Sequence, residues 1–270
     1  MFATITSSLT AIAVAAVLAL AAIPAHAHSW LECTDFRDGQ CHGWQRGWDE
    51  LHQDLLMTHR IINQNNDPAC FPGRQDQPNY AASFPMARAH PGQTLVFTYM
   101  ERSHVVSGTP EPKPGNYSVH WSSPVDQDTI HTRSDLSSTN RLGNSIAFDD
   151  GGCSDLGTEP GRVKRPCWGR LTVPADAAPG RHQVVWWWKY ALSNDYEEFT
   201  SCFDVQVLRD DEEPGNALPP NEAARWIGNT PRFNPGYGNV WYDYAKDYSY
   251  TDEFRQQVAA GTVAPQQRIN

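Results

Sequence analysis

The chain has 270 residues, 31 acidic and 21 basic side chains, and a formal net charge of −10. With no run of lysine or arginine, that balance excludes the electrostatic attraction on which nucleic-acid binding depends. Beyond the first 27 residues no stretch is both long and apolar, so neither a membrane span nor a lipid-anchor signal is expected.

Residues 1–27 contain no Asp, Glu, Lys or Arg, and their apolar centre, AIAVAAVLALAAI, is 13 residues long. A bilayer span needs about 20. Pro24 ends the run, and Ala25 and Ala27 place small side chains where a signal peptidase cuts. The expected outcome is a signal peptide over 1–27 and a secreted, soluble chain whose first residue is His28. All six cysteines (Cys33, Cys41, Cys70, Cys153, Cys167 and Cys202) follow the leader. An even number in a secreted chain predicts three disulfides. The paired CxxC of a zinc site is absent, and Cys33 with Cys41 and Cys153 with Cys167 are the plausible local pairs.

Residues 48–64, WDELHQDLLMTHRIINQ, carry Leu51, Leu55, Leu56, His59 and Ile62 at steps of three and four. That period predicts a helix packed on the main body, with His52 and His59 on a shared face. From Gln93 the pattern changes to short β-branched and aromatic runs broken by Pro, Gly, Asn and Asp. QTLVFTYMERSHVV (93–106), NYSVHWSS (116–123), GRLTVP (169–174), RHQVVWWWKYAL (181–192) and FTSCFDVQVL (199–208) read as strands. Many short strands separated by turn residues predict an all-β fold, an immunoglobulin- or fibronectin-like antiparallel sandwich. Within WWWKY successive side chains point to opposite faces, so at least half of these aromatics belong to the core. Asn116 begins the sequon NYS, a glycosylation pattern that also arises by chance. Residues 28–208 form the expected sandwich domain. A charged, proline-bearing edge then leads into an extension, 209–270, rich in aromatics and poor in aliphatics.

A histidine at a free N-terminus offers two nitrogens, the α-amino group and imidazole Nδ1, to one metal. A second imidazole completes a T-shaped set, and nitrogen donors of this kind suit copper. Three segments, in order, resemble the lytic polysaccharide monooxygenases. They are the processed terminus HSW, the strand and polar turn QTLVFTYMERSHVVSG, and the late strand pair GRHQVVWWWKY with EEFTSCFDVQV. The resemblance implies one copper held by His28 and His104, with Phe199 in the axial position and Tyr196 as the alternative there. It also implies that Glu197, on the face of Phe199, hydrogen-bonds oxygen species. Phe199 would equally serve a strand core, and Glu197 a solvated edge. Arg102 stands where some branches of the family have alanine. The implied partners are a polysaccharide and an external electron donor, acting on a monomer.

The nearest overall look is to the pectin-active members of plant-pathogenic water moulds, which puts homogalacturonan first, then cellulose or chitin. Arg102 and Lys189 are the cations that could make a locally basic face, unless they pair with Glu101 and Glu198. A non-catalytic copper-binding or uptake protein with the same histidines is the alternative, and a pure polysaccharide-binding module is a third. His90 is the rival second ligand, placed at the opposite end of the strand from His104, and His120 reads as structural. No GxSxG, HExxH or phosphate-binding glycine loop is present.

Overall fold

The computed structural model describes residues 29–37, 40–48, 57–62, 65–99, 101, 104–105, 114–154, 162–164, 166–191 and 196–213. The expected signal peptide, His28, Arg102 and residues 214–270 of the expected extension therefore lie outside the described residues. The strands, in chain order, are β1 (Leu31–Cys33), β2 (Phe36–Arg37), β3 (Gln40–Cys41), β4 (His59–Ile61), β5 (Ala87–Ala89), β6 (Thr94–Tyr99) and β7 (Asn116–Trp121). They continue with β8 (Ile146–Ala147), β9 (Cys153–Ser154), β10 (Val163–Lys164), β11 (Cys167–Thr172), β12 (Gly180–Ala191) and β13 (Tyr196–Val207). A 3-10 turn, Arg133–Asp135, is closed by the Asp135 carboxylate, which accepts the amides of His131 and Thr132. Among the described residues no helix is long and apolar enough to cross a membrane.

Two sheets face each other. The smaller runs β1-β6-β11, antiparallel throughout. The larger runs β4-β13-β12-β7-β8, also antiparallel, with β5 added parallel to β13. The fold is thus the all-β sandwich that strand spacing and turn chemistry predicted. Its core follows from alternation. Leu95, Phe97 and Tyr99 of β6 point in toward Tyr117, Val119 and Trp121 of β7, Trp186 and Trp188 of β12, and Phe199, Phe203 and Val205 of β13. Gly169 of β11 lies under this layer, where an added Cβ would collide with Tyr117 Oη and the Phe97 ring.

The outer face of the larger sheet is covered as well. Ala69, Cys70, Ile130 and Leu136 close over Val185, Trp187 and Cys202 in a second cluster. The amide of Cys202 donates to Gln75 Oε1 at 3.0 Å, and Thr200 Oγ1 donates to the Ala69 carbonyl at 2.6 Å. Three disulfides are present: Cys33–Cys41, Cys153–Cys167 and Cys70–Cys202. The first two are the local pairs read from spacing. The third pins the outer cover to β13.

The helical insertion is corrected in part. Residues 49–56 and 63–64 lie outside the described residues, but His59–Ile61 is a strand paired antiparallel with β13. Ile62, on the predicted apolar face, is 62% exposed, whereas Ile61 is 1% exposed. The backbone of β13 has an open edge whose amides and carbonyls need partners, and residues 59–61 supply them. His59 therefore lies on a strand, and His52 lies outside the described residues. The His59 ring stacks on Phe71 and its Nε2 donates to the Pro68 carbonyl at 2.8 Å.

Candidate functional site

The turn after β6 carries His104. Glu101, fully buried, closes that turn twice: its carbonyl accepts the His104 amide at 2.9 Å, and its Oε2 accepts the Val105 amide at 3.1 Å. Val105 in turn anchors the turn in the core. The His104 ring, 8% exposed, lies 4.7 Å from the ring of Tyr190 and 5.0 Å from that of Trp188, with Phe148 at 6.3 Å. Trp188 is itself sandwiched, 4.1 Å from Phe148 and 5.2 Å from Phe199. Its Nε1 donates to the Pro114 carbonyl at 2.6 Å.

The antiparallel register brings the other expected residues to the same end. In β12 and β13, Trp188 is opposite Phe199, Tyr190 opposite Glu197 and Ala191 opposite Tyr196. Trp188, Tyr190, Glu197 and Phe199 therefore share the inner face at the end where His104 sits. Phe199 is fully buried. Glu197 is 8% exposed, and Arg60 of β4 holds its Oε1 at 2.6 Å, so it is an ion-paired group rather than a solvated edge carboxylate. Leu31 of β1 is opposite Tyr99 of β6, and its amide crosses to β13, donating to Ser201 Oγ at 3.1 Å. Ser29, fully buried, thus enters the fold at the end of β6 from which the His104 turn departs.

Some expected pieces fall elsewhere. Lys189 points to the outer face, where its ammonium lies 3.9 Å above the Trp187 ring and 3.9 Å from Glu198, so it adds no charge on the face of His104. Burial lowers its pKa, against the attraction of Glu198. His90 follows β5 and precedes β6, and its amide donates to Gln93 Oε1 at 3.0 Å, at the strand end opposite His104. His120 is buried on the outer face, bonded to Ser118 and Asn140. His182 bridges the carbonyls of Ser122 and Ala178 and stacks on Trp121. The one close group of metal-ligand types among the described residues, Asp150 with Cys153 and Cys167, is no ion site because the two cysteines are joined in a disulfide.

Sequence reasoning missed Tyr190 and Glu101. Tyr190 was legible, since alternation from Trp186 and Trp188 puts it on the same face. Glu101 was not, because its role depends on the shape of the turn.

No family model matches the chain, and no curated protein is significantly similar to it. Solved structures do resemble it. The AA10 lytic polysaccharide monooxygenase from Streptomyces lividans is 14% identical over 56% of this chain and 81% of its own, with a TM-score of 0.34. The cellulose-active CelS2, solved in complex with copper, is 19% identical over 55% and 70%, with a TM-score of 0.35. A chitin-binding domain from Burkholderia pseudomallei is 11% identical over 59% and 90%, with a TM-score of 0.34.

Proposed function

We propose that the chain is a secreted copper-dependent polysaccharide monooxygenase. His28 would hold the metal through its α-amino and imidazole nitrogens, and His104 through its imidazole. The observation that carries this reading is the convergence at one end of the sandwich. Ser29 enters there, the His104 turn departs there, and Tyr190, Trp188, Phe199 and Glu197 line the adjoining face. A set of amine and imidazole nitrogens fits copper by donor chemistry. Bound copper would supply the one-electron and oxygen chemistry, fed by an external reductant with O2 or H2O2, that oxidises a C–H bond beside a glycosidic linkage.

The protein's own residues orient and exclude. Tyr190 and Trp188 fix the plane of the His104 ring, and the Glu101 carboxylate fixes the turn that carries it. Trp188 and Phe199 form an apolar wall beside the His104 ring, and Phe199, with Tyr196 as the alternative, would be the neighbour of a bound copper. Glu197, paired with Arg60 through Oε1, would hydrogen-bond oxygen species beside the metal. The substrate we place first is homogalacturonan, ahead of cellulose and chitin, with the protein acting as a monomer.

Intact mass of the secreted protein is expected to show a chain starting at His28. His104→Ala is expected to weaken copper binding by more than the roughly 10–100-fold typical of losing an outer-shell partner. The native protein should release oxidised oligosaccharides only with copper and reductant present. Another start residue, or full copper affinity in His104→Ala, would refute the metal site. Tight copper binding with no oxidised product from any of the three polymers would instead identify a copper carrier.

A further inference from the structure

On the outer face of the larger sheet, behind the end that carries His104, a groove of about 400 Å³ is lined by Lys189, Arg141, Trp187 and the serines 118, 137, 138 and 145 among others. That is within the range of about 300–1,000 Å³ typical of small-molecule sites. Its charge is unbalanced. Glu198, beneath it, already accepts from Arg133 Nε at 2.7 Å, Arg133 Nη2 at 2.8 Å and Trp187 Nε1 at 3.0 Å. Lys189 is left with a long 3.9 Å pairing to the same carboxylate. Arg141 donates only to the Gly143 carbonyl at 3.2 Å and Ser145 Oγ at 3.5 Å, and among the described residues no carboxylate pairs with it. Two cations thus face one groove in a chain whose net charge is −10.

The rest of the lining narrows the ligand. Trp187 is buried, 8% exposed, and carries the ammonium of Lys189 over its ring, so it offers no open face on which a neutral sugar could stack. What remains is hydroxyl groups, the Asn116 amide and the His120 ring beside a point charge and a guanidinium fork, chemistry that recognises a hydroxyl-rich anion. The geometry points to a binding site for a carboxylate-bearing sugar chain, with Lys189 and Arg141 pairing with its carboxylates and the serines hydrogen-bonding its ring hydroxyls. The overall negative charge does not forbid this, because screening limits its reach to about 8–10 Å at ordinary salt. The site deepens the substrate reading above, and rests on it only for placing such a chain near the oxidising end. Lys189 neighbours Tyr190, so one sheet thickness separates the groove from the face of His104.

The test is calorimetric binding of a homogalacturonan oligosaccharide to the metal-stripped mature protein, beside its methyl-esterified counterpart and a cello-oligosaccharide. The acidic chain is expected to bind at least about tenfold more tightly than either neutral one, as a charge-assisted contact implies. Lys189→Gln and Arg141→Gln should each cost about tenfold in affinity for it. Arg209→Gln, which removes an exposed positive charge elsewhere, should leave it unchanged. Arg141 has no buried ion pair, so its variant keeps the test decisive even if Lys189→Gln fails to fold. Equal binding of acidic and neutral chains, or wild-type affinity in Arg141→Gln, overturns the inference. So does full displacement by inorganic sulfate at matched charge, which would mark a general anion site. Because no copper is present, failure here leaves the oxidative reading standing, and failure of that reading leaves this site standing.

Discussion

Gly169 occupies its place because nothing larger fits. It lies in β11 opposite Phe97 of β6, and the rings of Phe97 and Tyr117 close over its Cα, 5.6 Å apart and nearly perpendicular. A methyl group there would have to push two rings locked into the aromatic layer that also holds Tyr99 and Trp186. Overpacking of this kind typically costs about 1–3 kcal/mol. Gly169→Ala is therefore expected to lower the unfolding free energy by an amount in that range, read as a lower urea midpoint at an unchanged slope. A midpoint equal to wild type would mean that the layer can yield.

At the scale of elements, the far end of the long hairpin is held by charge. Arg46 and Asp204 are both fully buried. Arg46 donates to Asp204 through Nε at 2.8 Å and Nη2 at 2.5 Å, and to Asp128 through Nη1 at 2.6 Å. Arg181 of β12 reaches both aspartates at 2.7 Å. Burial opposes the charge on Arg46, but its bonds to Asp204 and Asp128 more than offset this and raise its pKa. Removing one partner leaves a buried charge uncompensated, so Asp204→Asn should cost about 3–5 kcal/mol. In a double-mutant cycle, Arg46→Met with Asp204→Leu should cost less than the sum of the single changes. Strict additivity would refute the coupling.

The outer cover should also respond to pH. Burial lowers the pKa of both His59 and His120, outweighing the hydrogen bonds to the Pro68 carbonyl and Asn140 that act the other way. Unfolded imidazole titrates near about 6.5. Their contribution is therefore complete above about pH 6.5 and falls as pH drops through the window down to the lowered folded values, by up to about 1.4 kcal/mol per pH unit for each ring. Asp128, whose pKa lies below the usual carboxylate value because its bonds to Arg46 and Arg181 outweigh burial, adds a separate loss at more acid pH. Unfolding midpoints measured from pH 7.5 to 5 should slope downward, and His59→Gln with His120→Gln should flatten that slope. An unchanged slope in the double variant would rule these two rings out.

For the whole molecule, what was legible in the sequence is what is local. The strand runs found from residue 93 onward correspond to β6, β7, β11, β12 and β13, because alternation and turn residues act within a few positions. Cys33–Cys41 and Cys153–Cys167 were legible for the same reason. The position of His104 in a turn just beyond a strand was readable too, as was the shared face of Glu197 and Phe199. β4 was misread, since a three-residue strand takes its identity from the edge it covers and not from its own period. The bridge from Cys70 to Cys202, the ion cluster around Arg46 and the orientation of Lys189 join distant parts of the chain, and no local pattern encodes them.

The stack of Phe148, Trp188 and Phe199 against His104 has a consequence in light. Trp188 is fully buried and its ring lies 5.0 Å from the imidazole, so its fluorescence reports on whatever that imidazole binds. A Cu(II) ion at His104 would sit within contact range of an excited indole and quench it by electron or energy transfer. Titrating the metal-free mature protein with Cu(II) should therefore dim the blue-shifted part of the tryptophan emission in step with binding. Zn(II), which has a filled d shell, should leave it bright. His104→Ala should lose the dimming while keeping the emission of the apo protein. An undimmed spectrum at saturating Cu(II) would mean the ion is bound far from this ring.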